Sequence, residues 1–211
     1  FLRGSAELEL GDYESAKADF DKAISMDPKN YDRLIEIYEA LADYGYREVG
    51  QEYLQNVLNT DKKLDAYDSG RIYYYLGDYQ KAYLALEEAK GKGGVDSYLY
   101  LGKAYAATGD YNYASSVYSN YLSKQGPDAE IYNQLGLCEL AKKDYQKALE
   151  AFQAGKQIEG NSLMQTLSFN EIVAYEYLQD YQKAAVLLKA YLQNYPDDQT
   201  AIREQQFLST R

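Results

Sequence analysis

Few residues in this chain could do covalent chemistry. Its 211 residues include 26 tyrosines, one cysteine and no histidine, so the commonest general base is missing. Cys138 has no second cysteine to pair with, and a reactive thiol wants a cationic or imidazole neighbour. Set between Leu137 and Glu139-Leu140 in a helical pattern, it reads as a small buried hydrophobe. Gly91-Lys92-Gly93-Gly94 lacks the spacing and the Lys-Ser/Thr end of a phosphate loop and reads as a connection. Glu87-Glu88 and Asp197-Asp198 are adjacent rather than facing, which suits solvated helix surface or capping. Zinc would lack Cys and His ligands, and the acids show no calcium-loop spacing. The expectation is a protein that is not an enzyme, with no metal and no cofactor. The chemistry left to the tyrosines is contact.

The elements that must position those tyrosines follow from composition and period. Apolar content of 46% and charged content of 26% are ordinary for a globular chain. No apolar run approaches the roughly 20 residues of a membrane helix. A formal net charge of −11 opposes a phosphate backbone, so nucleic acid is not expected as a partner. The sequence opens on Phe1 rather than Met, the expectation being a fragment or a processed form whose targeting segment lies upstream.

Self-similarity organises the rest. Gly-Asp-Tyr occurs at 11–13, 77–79 and 109–111, with Lys143-Asp144-Tyr145 and Gln179-Asp180-Tyr181 as degraded copies and Gly45-Tyr46-Arg47 filling the remaining gap. Three residues on stands a small residue (Ala16, Gly50, Ala82, Ala114, Ala148, Ala184), and four further a large one (Phe20, Leu54, Leu86, Tyr118, Phe152, Leu188). Seven residues before the turn, a glycine recurs at Gly4, Gly70, Gly102 and Gly136, with Tyr38 and Ile172 as departures. Both halves of each repeat place apolar residues at helical spacing, so each is a helix pair. The turn glycine suits a left-handed helix C-cap, and the aspartate after it suits the next N-cap.

The array resembles the tetratricopeptide repeat family. The fourth repeat carries Tyr98, Leu101-Gly102, Tyr105, Ala114 and Tyr118 and ends in Gly126-Pro127; the fifth carries Tyr132, Leu135-Gly136, Ala148 and Phe152. The first ends in Pro28 and the sixth in Pro196. Repeat two departs most, with Gly50 and Val57 where alanine is usual. The resemblance implies an all-α, right-handed superhelical solenoid of antiparallel helix pairs. Its repeats would span about 1–30, 31–62, 63–94, 95–128, 129–164 and 165–198, followed by a C-terminal capping helix over 199–211. Tyr13, Tyr73, Tyr79, Tyr105, Tyr111, Tyr118, Tyr145, Tyr175 and Tyr181 then read as framework between helices.

In this family the first helix of each pair lines a concave groove. Carried onto these residues, repeat two offers Ile35, Glu39 and Asp43 there. Repeats three and four offer Tyr67, Arg71, Tyr74 and Tyr75, then Leu99 and Lys103. Repeats five and six offer Asn133 and Leu137, then Phe169, Val173, Glu176 and Tyr177. The expected partner-binding set is Tyr67, Arg71, Tyr74, Leu99, Lys103, Asn133, Leu137, Phe169, Val173 and Tyr177, holding a protein or peptide whose acidic group or chain end lies near Arg71 and Lys103, the alternative being that both cations are solvated or paired with a nearby acid of this chain. The carboxylate clamp of chaperone adaptors is absent, since its slots hold Tyr67, Tyr100, Glu130 and Gln134 beside Arg71. The expected function is a non-catalytic interaction scaffold. A self-assembling homo-oligomeric module, or a peptide-sensing domain of a larger protein, stands as the alternative. The repeats also resemble bacterial members of the family that are exported or lipid-anchored, which favours the cell envelope over the cytoplasm.

Overall fold

The structure is a computed structural model and describes residues 1–89 and 91–210. Among the described residues there are thirteen α-helices and no strand. They divide into two compact units, 1–92 and 93–211. The N-terminal unit holds α1 (Leu2–Glu9), α2 (Tyr13–Met26), α3 (Tyr31–Asp43), α4 (Arg47–Thr60), α5 (Ala66–Tyr75) and α6 (Tyr79–Glu88). The C-terminal unit holds α7 (Val95–Ala107), α8 (Tyr111–Gln125), α9 (Ala129–Ala141), α10 (Tyr145–Lys156), α11 (Met164–Tyr177), α12 (Tyr181–Asn194) and α13 (Gln199–Leu208). The fold is all-α, built within each unit from helix hairpins stacked one on the next.

Local chemistry sets the hairpins. Asp12, Asp78, Asp110, Asp144 and Asp180 each accept a hydrogen bond from the backbone N–H three residues on, which starts the second helix of the pair. The turn before each cap needs one left-handed residue. At Gly109 (φ 84°) it lets the Asp110 N–H reach back to the Tyr105 carbonyl at 3.0 Å. Lys143 (φ 65°) and Gln179 (φ 62°) adopt the same conformation without being glycine.

Small-against-large contacts close each hairpin. A Cβ on Gly4 would lie 2.7 Å from Phe20, on Gly70 2.5 Å from Leu86, on Gly102 2.2 Å from Tyr118 and on Gly136 2.3 Å from Phe152. Only glycine lets the two backbones approach this closely. Between hairpins, buried clusters join neighbouring repeats within a unit. Leu8, Ala16 and Phe20 pack with Ile37 and Leu41 of the next repeat, and Leu34, Tyr38 and Leu54 pack with Ile72 of the one after. In the C-terminal unit Ala201 and Leu208 of α13 cover Ile172, Ala184 and Leu188. Asp198 starts that last helix by accepting from the N–H groups of Thr200 and Ala201, and its other oxygen takes the Tyr191 hydroxyl at 2.6 Å.

Many tyrosines serve as framework. Tyr118 is fully buried. The rings of Tyr13 and Tyr46, one repeat apart, stack with centroids 4.1 Å apart, and those of Tyr145 and Tyr177 stack at 4.9 Å. Cys138 is buried, and burial, helped by Glu139, pushes its thiol up to about 12.

Candidate functional site

In the N-terminal unit, Tyr67, Arg71 and Tyr74 share one face of α5, since they recur at helical spacing. Arg71 is only 7% exposed. Its Nη1 donates to Asp32 of α3 and its Nη2 to Asp68 of its own helix, both at 2.5 Å, and the guanidinium lies 4.4 Å over the ring of Tyr67. Burial opposes the charge of Arg71, but its hydrogen bonds to Asp32 and Asp68 outweigh it and hold the guanidinium firmly protonated. Burial also pushes the Asp68 carboxyl up, and Arg71 offsets this only in part. The two shifts are compatible, because Arg71 draws on two carboxylates while Asp68 must share its guanidinium with Asp32.

Toward the C-terminal ends of α3 and α5 the same unit opens into a hollow of about 430 Å³ walled by Tyr38, Tyr74 and Tyr75. Tyr74 stands 5.5 Å from Tyr75 and 5.7 Å from Tyr79, centroid to centroid.

In the C-terminal unit, Leu99 and Lys103 lie one turn apart on α7, Asn133 and Leu137 one turn apart on α9, and Phe169, Val173 and Tyr177 along α11. Lys103 Nζ is 3.6 Å from Glu130 Oε1 of α9, with both side chains about a third exposed (32% and 30%). Asn133 is buried, and its side-chain oxygen accepts from Asn170 Nδ2 of α11 at 2.9 Å. Polar bonds thus tie α7 to α9 and α9 to α11. Around them Leu99, Phe169 and Val173 are half-buried, while Leu137 (39%) and Tyr177 (54%) are exposed. Glu176 of α11 is pushed up to about 7, first by burial and then by the like charge of Glu204 on α13.

Of the two readings of Arg71 and Lys103, these contacts accord with pairing to acids of this chain. Arg71 lies in the N-terminal unit and Lys103 in the C-terminal unit. Each already has acids of this chain beside it, Asp32 and Asp68 for the first and Glu130 for the second. Arg71 and Asn133 act as structural ties between successive first helices rather than as exposed contacts. Sequence reasoning missed Asp32 and Asn170, which complete those ties from 39 and 37 residues away. It also read Tyr38 and Tyr79 only as departure and framework, although both line the hollow of the N-terminal unit. The signal available was local: Tyr38 shares α3 with Asp43, and Tyr79 opens α6 just across the turn from Tyr75.

No group of three His, Cys, Asp or Glu side chains that could hold a metal occurs among the described residues. No helix among them is long and apolar enough to cross a membrane.

Stacked helix hairpins with glycine wedges, carrying aromatic and aliphatic side chains on their first helices, define a helical-repeat scaffold. The family's sequence pattern, described as Tetratricopeptide repeat, matches residues 1–30, 99–162 and 169–198, together more than half of the chain. The chain belongs to the tetratricopeptide repeat family, whose members are generally non-catalytic interaction scaffolds. No curated protein sequence matches it. Among solved structures it is similar in fold to PilW, a type IV pilus biogenesis factor, with 16% identity over 98% of this chain and 95% of that one and a TM-score of 0.70. It is also similar to a thermophilic TPR protein of Thermus thermophilus, with 15% identity over 86% and 100% and a TM-score of 0.65. A third is YrrB, a TPR protein with an unusual peptide-binding site, with 21% identity over 89% and 97% and a TM-score of 0.58.

Proposed function

We propose that this protein is a non-catalytic scaffold of six repeats and a C-terminal cap that holds a peptide or partner segment along the first-helix faces of its repeats. The observation that carries this reading is in the C-terminal unit. Leu137 and Tyr177 stay exposed on helices that Asn133, Asn170, Lys103 and Glu130 fix in place. Large apolar contacts on a rigid support lose little freedom on docking, which is what a binding face requires. The existence of a peptide-binding site in YrrB lends the reading support at the level of fold. The direct contacts are Tyr67 and Tyr74 in one unit and Leu99, Lys103, Leu137, Phe169, Val173 and Tyr177 in the other, with Arg71 and Asn133 positioning them.

The test compares captured partners of the wild type, of Leu137→Glu/Tyr177→Glu and of Val186→Glu, the last an exposed position on the second helix α12. Loss of the partner from the first variant alone supports the reading. The same partner in equal amount on all three overturns it. We also propose placement at the cell envelope rather than in the cytoplasm. The fold-level likeness to a pilus biogenesis factor accords with it, and fractionation of expressing cells tests it.

A further inference from the structure

The tyrosine hollow of the N-terminal unit has a chemistry that the rest of the first-helix face lacks. Its rings stand at steep angles to one another: Tyr38 and Tyr75 at 61° with centroids 5.3 Å apart, Tyr74 and Tyr75 at 82°. Tyr38 is buried and offers its hydroxyl edge, while the half-buried rings of Tyr74 and Tyr75 pack edge to face beside it; the space they border is about 430 Å³, within the range of sites that take a small group. Glu39 and Asp43 stand at its rim, one turn apart on α3. The Tyr75 hydroxyl donates to Glu39 Oε1 at 2.7 Å, which leaves that ring more electron-rich. Among the described residues that line it, one is a cation: Arg47, whose Nη1 donates to the Tyr38 hydroxyl at 3.0 Å. Two carboxylates against one guanidinium leave the rim with a net negative charge.

Aromatic faces attract a cation through their quadrupole, and adjacent carboxylates add to that attraction. An acidic side chain would meet Glu39 and Asp43 as like charges. An apolar one would bury them without compensation. The formal net charge of −11 steers the same kind of ligand toward the surface.

We infer that this hollow receives a cationic side chain, arginine or lysine, from the partner segment, so that the partner is basic at this point of the face. The inference rests on the scaffold reading and gives it a sign opposite to the acidic group expected near Arg71. Arg47, an exposed residue of this chain, already donates a guanidinium hydrogen bond to the Tyr38 hydroxyl.

The test uses NMR of protein carrying labelled tyrosine rings, titrated with four capped pentapeptides that differ only at their centre: Ala-Ala-X-Ala-Ala with X as arginine, lysine, citrulline or glutamate. The arginine or lysine peptide, or both, shifts the rings of Tyr38, Tyr74 and Tyr75, and comparing those two assigns the source of the charge. Citrulline keeps the shape of arginine without its charge and leaves the rings unmoved, as does glutamate. Glu39 and Asp43 are exposed, so Glu39→Gln/Asp43→Asn keeps the fold, checked by circular dichroism, and weakens the cationic peptide by about fivefold or more. Ring shifts with citrulline equal to those with arginine overturn the inference, as do an absence of shifts with both cationic peptides or unchanged affinity in the variant. Each of these results leaves the capture test with the Leu137 and Tyr177 variant standing on its own.

Discussion

Gly50 lies directly beneath Tyr38: a Cβ at position 50 would sit 2.9 Å from the Tyr38 ring and 3.2 Å from its Cα. In the other glycine-wedged repeats the glycine is on the first helix and the large residue on the second, as with Gly102 under Tyr118. Repeat two places the large residue on the first helix and the glycine on the second. The two departures seen in its sequence, a tyrosine for glycine and a glycine for alanine, compensate each other.

That relationship orders two substitutions. Gly102→Ala drives a methyl to 2.2 Å from the fully buried Tyr118 ring and costs about 2–3 kcal/mol by overpacking. Gly50→Ala meets a shallower overlap, offset by the better helix propensity of alanine, and costs about 1 kcal/mol. Urea midpoints measure both. A wild-type midpoint for Gly102→Ala would remove the wedge from the account of the fold.

Arg71→Leu leaves the partly buried Asp68 carboxylate without its guanidinium and lowers stability by about 2–3 kcal/mol at neutral pH. Burial raises the Asp68 carboxyl in the folded protein. A raised folded value means that this group's contribution is fully present below the unfolded carboxylate range and is lost as pH rises through the folded one. The deficit of Arg71→Leu therefore shrinks as pH falls toward 4, and adding Asp68→Leu recovers most of it at pH 7. Urea titrations at the two pH values decide this; an equal deficit at both would show that Asp68 is not the cause.

Glu176 gives the C-terminal unit its own pH dependence. Its carboxyl is held at about 7 in the fold, against an ordinary value of 4.5. Stability from this group is full below about 4.5 and declines as pH rises through about 7. The side chain is only partly desolvated, so the loss is about 1–2 kcal/mol once solvent screening is allowed for. Glu176→Gln removes the step: its melting temperature matches the wild type near pH 4 and exceeds it at pH 8. Melting curves across that range check it, and parallel curves for the two proteins would contradict it.

Cys138 is predicted to stay silent in the native state. Burial holds its thiol at about 12, so almost no thiolate exists at pH 8. Ellman's reagent should label it only as the protein unfolds, at a rate that follows denaturant concentration. Rapid labelling of the folded protein would show an open path to the sulfur.

Helix positions and hairpin chemistry were legible because they are local. The Gly-Asp-Tyr triplets name the turn, the cap and the first helical residue, and Asp78 and Asp110 act as the sequence implies. The wedge glycines were legible because their partners recur sixteen residues on, as Gly136 and Phe152 do. Charge pairing across repeats was not legible, although Asp68, three residues before Arg71 on the same helix, was in reach of a local reading. The second partner of Arg71 becomes visible only when stacking brings Asp32 of the previous repeat to its Nη1. The tyrosine hollow was hidden for the same reason. Tyr38 and Tyr75 are 37 residues apart in the sequence, and only the stacking of α5 on α3 brings their rings edge to face.

At Lys143 and Gln179 the chain keeps the left-handed turn after the glycine has gone. A side chain there works against the conformation, yet the Asp144 and Asp180 N–H groups still reach the carbonyls of Glu139 and Tyr175 at 2.9 and 3.0 Å. Neighbouring hairpins therefore impose the bend on whatever residue occupies it. Copies in such an array can drift in spelling while retaining their form, and a lineage that duplicates them can diversify the faces without redesigning the joints.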